Sequence, residues 1–272
     1  MRVRADARRL AGLAIVALAA ACAPAPPTLK LPGGSGEPLS DPAPLSTTLE
    51  HCATPQPMAA EIGLAGRAAG QRLRGTLHAG FAPPSSLRLE AVAPFGGPVF
   101  VLAGRDDAAT LLLTREDRVV RGAPADILEA LVGLRVSPAA LHAWIGGCPS
   151  ETQPLTSPRR VGDGWLAADV GADRTLWFRK GAAGLALVAE VRGTLTVEFA
   201  DHRGTQPARV RLRQASSAST AELDIRLDVD QVERGVALDQ SAFALEVPAT
   251  ATPLTVDELR AAGPLRDVRP ES

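Results

Sequence analysis

Residues 221–229 read AELDIRLDV, and this stretch does most to limit what the chain can become. Ala221, Leu223, Ile225, Leu227 and Val229 alternate with Glu222, Asp224, Arg226 and Asp228. A period of two puts every apolar group on one face of an extended strand and every charge on the other. The alternation recurs in Arg209-Val-Arg-Leu-Arg213 and at Leu195, Val197 and Phe199. Further β-like runs begin near Glu61: QRLRGTLHAGF and SLRLEAVA flank Pro83-Pro84-Ser85-Ser86, and PVFVLAGR, ATLLLTRE and RVVRG follow. The second half adds GWLAADV, RTLWFRK and LALVAEVRGTLTVEFADH. Such runs with short turns between them predict a large antiparallel sheet, greasy on one face and wet on the other.

The greasy face needs a cover, and the chain offers little for it. Pro124 can open a helix carrying Ile127, Leu128, Leu131 and Val132, with Gly133 to end it. Ser137 can cap a second, opened by Pro138, carrying Leu141, Trp144 and Ile145 and stopped by Gly146-Gly147. Two short helices cannot seal so large a sheet. The mismatch predicts a mainly β (α+β) fold, a curved sheet with an apolar interior that is either packed or hollow. Strand alternation nominates Leu87, Leu89, Val99, Val101, Ile225 and Leu227 as its lining, with Leu141 and Trp144 from the helices. A last helix, Val256 to Ala262, is expected to trail outside.

The N-terminus carries Arg2, Arg4, Arg8 and Arg9, then a mostly apolar run from Leu10 to Ala21 that ends at Ala-Ala-Ala-Cys22. A charged start, a short apolar core and small residues make a secretory signal, and the run is shorter than a membrane-spanning helix needs. A Cys directly after small residues resembles the bacterial lipobox, although Ala19 stands where Leu is usual and Leu18 lies one place away. Cys22 is then either a lipidated first residue or an incidental Cys after an ordinary signal. The Pro-, Gly- and Ser-rich segment that follows cannot bury enough apolar surface to fold and reads as a semi-rigid tether. The expected division is a signal peptide over 1–21, a tether over 22–48 and a folded domain over 49–272.

With a net charge of −1 and 3% aromatic residues, the chain lacks both the basic surface and the ring platforms of a nucleic-acid binder. His51, His78, His142 and His202 have no metal-ligand spacing, and no nucleophile elbow is present. Gly162-Asp-Gly164-Trp-Leu-Ala167 imitates a dinucleotide fingerprint without the strand and helix that would give it meaning. Neither catalysis nor a cofactor is expected. Cys52 and Cys148, placed outside the cytoplasm, are either a disulfide or two free thiols.

A central block quotes a further pattern: Pro94-Phe95-Gly96 at a turn, Leu131-Val132-Gly133 at a helix end, then Leu141-His-Ala-Trp144-Ile-Gly-Gly-Cys-Pro149. In order and spacing it resembles the LolB family of outer-membrane lipoprotein receptors, within the LolA/LolB-like superfamily. The C-terminal half departs: AFALEVPATATPLTVDEL is closer to the broader superfamily than to LolB. The resemblance implies an incomplete antiparallel β-barrel with a short helical lid over a hydrophobic cavity. It also implies acyl chains or lipoprotein cargo as ligand, a LolA-like periplasmic carrier as donor, and a monomer anchored by lipid at the periplasmic face of the outer membrane. Ala23, in place of the Asp linked to inner-membrane retention, fits that location. Another use of the same fold is a non-catalytic structural or sensing lipoprotein that docks partners.

The resemblance also bears on Phe95, one of six phenylalanines. It is either folded back on the sheet edge or, where the family has an exposed apolar residue, a membrane contact.

Overall fold

The computed structural model describes residues 28–68, 70–92, 97–181, 184–216 and 222–262. Cys22, Phe95 and Ala221 lie outside the described residues. The described residues from Pro32 onward form one compact unit.

Among the described residues, that unit is organised on one sheet of 15 strands. In chain order they are β1 (Glu37–Pro38), β2 (Met58–Ala68), β3 (Gln71–Ala82), β4 (Ser86–Val92), β5 (Pro98–Arg105), β6 (Ala108–Leu113) and β7 (Arg118–Gly122). Then come β8 (Leu155–Arg160), β9 (Trp165–Val170), β10 (Arg174–Gly181), β11 (Gly184–Arg192), β12 (Leu195–Arg203), β13 (Gln206–Gln214), β14 (Leu223–Arg234) and β15 (Thr252–Leu254). The helices are α1 (Ala43–Thr48), α2 (Pro124–Val132), α3 (Pro138–Ile145) and α4 (Val256–Ala262).

The spatial order is β1-β8-β9-β10-β11-β12-β13-β14-β2-β3-β4-β5-β6-β7-β15. Two antiparallel meanders, β2 to β7 and β8 to β14, are joined where β14 pairs with β2. The ends do not meet, so the sheet is open. The pairing of β15 with β7 is parallel, and it closes off that edge.

The alternation works as expected. Leu223, Ile225, Leu227 and Val229 are buried, while Asp224, Arg226 and Asp228 reach the other face. There the charges pair across strands: Arg211 grips Asp224 through two hydrogen bonds of 2.7 Å, and Arg209 reaches Asp228 at 3.0 Å. Ion pairs that stay half-open to water add modest stability, and they chiefly favour the register that brings them together.

Curvature has local causes. β14 carries a bulge between Val229 and Gln231 where it pairs with β2. Nearby, Gly66 has φ +149° and passes so close to β14 that an added Cβ would lie 2.1 Å from the Asp224 carbonyl oxygen. Only glycine permits that approach.

Both lid helices form as expected. Gly133 ends α2 in the left-handed conformation, its N–H donating to the Glu129 carbonyl, and the Ser137 hydroxyl accepts from the Ala140 N–H at 3.1 Å to cap α3. Gly162 and Gly164, at φ +61° and +75°, belong to the turn between β8 and β9. The dinucleotide-like string is therefore part of a hairpin.

Two expectations about the ends are corrected. The segment assigned to a tether over 22–48 is folded in its second part. β1 pairs with β8, the Leu39 N–H donates to the Pro158 carbonyl at 2.8 Å, and Leu45 of α1 is fully buried. The leucines anchor a stretch whose average composition looks unfoldable. Likewise α4 does not trail outside. It packs on α2 and β7, with Leu259 fully buried.

Candidate functional site

The concave face of the sheet encloses a cavity of about 410 Å³, within the range of about 300–1,000 Å³ usual for small-molecule sites. Its walls are aliphatic. β2 supplies Ile62 and Leu64, β3 supplies Leu73 and Leu77, and β13 and β14 supply Leu212, Ile225 and Leu227. The helices close the other side with Leu128, Leu131, Val132, Leu141, Trp144 and Ile145. The interior is therefore hollow in part. At one end the lining includes Arg72, Arg74 and Arg115, all exposed, so the cavity reaches the surface there.

Of the residues nominated from sequence, Leu89, Val99, Leu141, Trp144, Ile225 and Leu227 lie on this cavity. Leu87 and Val101 do not, for different reasons. Leu87 is on the same face as Leu89 but sits deeper, with no exposed surface, in the packed part of the core. Val101 is on the opposite face, because Glu90 pairs with it while Leu89 pairs with Leu102. Pairing skips Val99, as Ala91 faces Phe100 and Val92 faces Pro98. That extra residue breaks the period of two, so Val99 and Phe100 both meet the cavity. Strand alternation alone did not reveal the bulge.

One buried polar knot holds the lid in place. Glu190 of β11 is 2% exposed. It accepts from the Trp144 indole N–H at 2.9 Å, from the Ser150 N–H at 2.8 Å and from the Ser150 hydroxyl. Arg174, also buried, donates to the Ser150 hydroxyl at 3.2 Å and pairs with Glu151 at 2.7 Å. Burial works against the Arg174 charge, yet Glu151, Glu190 and Asp173 outweigh it and raise its pKa. One side of Trp144 thus lines the cavity while its polar edge is tied to the sheet. A buried Trp needs a partner for its N–H, and that was the only hint in the sequence.

Cys52 and Cys148 form a disulfide with a Cα–Cα distance of 5.6 Å, joining the short 3₁₀ turn after α1 to the chain just past α3. Gly147, at φ +76°, lies against the β12–β13 turn, where an added Cβ would meet Pro207 and the Thr205 carbonyl at 2.6 Å. The end of α3 is therefore fixed from two sides. His142 of α3 stacks near Phe81, with ring centroids 5.4 Å apart, and its Nε2 lies 2.9 Å from the Gln56 carbonyl oxygen. Burial lowers its pKa. Among the described residues, His51, Cys52 and Cys148 are the one group close enough to hold a metal ion, and both sulfurs are committed to the disulfide.

No helix among the described residues is long and apolar enough to cross a membrane.

No protein-family model matches the chain, and no curated protein matches it. Solved structures do resemble it in outline. A LolA superfamily protein from Nitrosomonas europaea aligns with a TM-score of 0.46 and 10% identity, covering 70% of this chain and 91% of that one. A domain assigned to outer membrane lipoprotein sorting from Vibrio parahaemolyticus aligns at 0.40 and 9%, covering 73% and 92%. A DUF1329 family protein from Desulfovibrio piger aligns at 0.40 and 13%, covering 76% and 97%. At these scores no ligand, activity or cellular place is transferred from those proteins to this chain.

Proposed function

We propose that this chain is a lipid-anchored envelope protein whose cavity takes an acyl chain of a lipid or lipoprotein and helps deliver it to the outer membrane. The observation that carries the reading is the hollow on the concave face, walled by aliphatic side chains and open at one end. Such a space suits a flexible hydrocarbon, which gains about 0.8 kcal/mol for each methylene removed from water. A protein that only docked partners would have no use for the hollow, and a well-packed core would be more stable. In this reading Cys22 carries the anchor, the segment after it holds the domain near the bilayer, and a LolA-like carrier supplies the cargo. The domain acts as a monomer.

Leu89→Trp tests the cavity. Leu89 is 3% exposed and points into it. A larger ring there fills space that is already empty, whereas overpacking a filled core costs about 1–3 kcal/mol. The variant will bind a fluorescent fatty-acyl probe at least ~tenfold more weakly than wild type, with a melting temperature close to it. Strong destabilisation with unchanged probe binding would overturn the reading.

Phe95 serves delivery in the same reading. In sequence it falls between β4 and β5, and the described residues Val92 and Val99 on either side of it line the cavity. Burying one Phe in a bilayer contributes about 1.5–3 kcal/mol, enough to orient a domain that is already tethered. Phe95→Glu will keep the wild-type melting temperature and acyl-probe binding but lose co-sedimentation with liposomes. A large fall in melting temperature with intact liposome binding would place Phe95 in the core instead.

A further inference from the structure

Where the cavity meets the surface, the charge is one-sided. Arg72 and Arg74 approach it from β3 and Arg115 from the turn after β6. Arg67 stands directly opposite Arg72 in the β2–β3 register. All four are exposed. Same-face neighbours along a strand lie about 7 Å apart, and directly opposed residues about 5 Å. Arg67, Arg72 and Arg74 are thus each within about one Debye length, ~8 Å, of the next. Like charges directly opposed across strands weaken a sheet, and the packing here is done by Leu73 and Leu77 on the other face.

The contrast with the rest of the wet face is informative. On β13 and β14, Arg209 pairs with Asp201 and Asp228, Arg211 with Asp224, and Arg226 with Asp228. Around the mouth, none of the four arginines has an ion-pair partner among the described residues. Asp224 is opposite Arg67 in register but is held by both hydrogen bonds to Arg211. Glu116 and Asp117 follow Arg115 in its turn and pair with none of the four. Among the described residues, nothing neutralises this positive charge. Between Gln71 and Gly75, β3 also runs past the pairing with β4, which begins at Thr76, so among the described residues no strand pairs with β3 on that side.

We propose that this rim holds the phosphate of an anionic phospholipid whose acyl chain lies in the cavity; the inference rests on the acyl-binding reading above. Guanidinium groups match phosphate oxygens with paired donors. A headgroup that also carries a quaternary ammonium would bring a cation against the same arginines, so the rim favours lipids with net negative charge. The acyl-binding reading, which rests on the hollow, requires an acyl chain and says nothing of its headgroup, so the two are separable.

The test uses the full chain with a bound fluorescent fatty-acyl probe, displaced by dihexanoyl-phosphatidylglycerol or dihexanoyl-phosphatidylcholine below their micelle concentrations. Wild type will bind the glycerol lipid at least ~tenfold more tightly at low ionic strength, and the gap will shrink as salt is raised. Arg72→Gln with Arg74→Gln will bring the two lipids level without lowering the melting temperature, and Arg72→Lys with Arg74→Lys will keep most of the preference. Equal affinity of wild type for both lipids, or displacement by neither, overturns the inference and leaves probe binding, and with it the acyl reading, intact. Failure of wild type to bind the acyl probe at all overturns both. If glycerol phosphate alone weakens phosphatidylglycerol binding at matched concentration, the rim takes soluble phosphate esters and the lipid assignment is wrong.

Discussion

Replacing both Cys52 and Cys148 by serine will lower the stability of the domain by about 4–5 kcal/mol. The bridge spans a sequence separation of 96, so without it the unfolded chain regains the entropy of a long open loop. The same bond fixes the segment that follows α3, whose Cys148 N–H donates to the Ala143 carbonyl at 2.8 Å. Loss of stability should therefore be accompanied by a looser lid. Thermal unfolding of wild type with and without a dithiol reductant, beside the double variant, measures the effect. The reduced wild type and the variant should melt at the same lower temperature. If both melt with the oxidised wild type, the bridge plays no part in holding the fold.

Glu190→Ala will cost about 3–5 kcal/mol, the usual result of breaking a buried charge cluster by removing one member. Three donors lose their acceptor: the Trp144 indole N–H, the Ser150 N–H and the Ser150 hydroxyl. Arg174, 7% exposed, also loses a nearby buried anion. In a domain of this size that corresponds to a fall in melting temperature of roughly 8–15 °C. Glu190→Gln keeps an oxygen acceptor and removes only the charge, so it should lose less than half as much. Because Trp144 lines the cavity, the alanine variant should also bind an acyl probe more weakly. An alanine variant that melts with wild type would show that Ser150 and Trp144 find other partners.

The strands were legible because one physical pattern repeats without interruption. Burial of Leu223, Ile225, Leu227 and Val229 beside half-buried charged neighbours is what a period of two requires of a sheet wet on one side. The helices were legible to the residue, since Pro124, Gly133, Ser137 and Pro138 are local signals that act within one turn. What escaped depends on contacts distant in sequence or on a single inserted residue. Averaged composition hid Leu39 and Leu45, which anchor an otherwise polar and Pro-rich arm. The bulge at Val99 reversed the faces assigned to Val99 and Val101 relative to one another. Glu190 sits in the apolar run LALVAEV, where nothing local distinguishes a buried carboxylate from an exposed one. Alternation could show an apolar face but not whether its interior was full, because hollow and packed cores use the same residues. Arg72 and Arg74 were in plain sight in QRLRG, but that they have no ion-pair partner among the described residues is visible only once the strands are assembled.

In the proposed function, the hollow on the concave face holds a lipid chain. Native mass spectrometry of the full-length protein, purified from its own membranes and released from detergent in the gas phase, measures this most directly. The expected spectrum holds a population heavier than the covalent mass by one phospholipid or acylated species, lost on activation and absent in Leu89→Trp. A protein found only at its covalent mass, with an acyl probe unable to bind it in solution, would contradict the account.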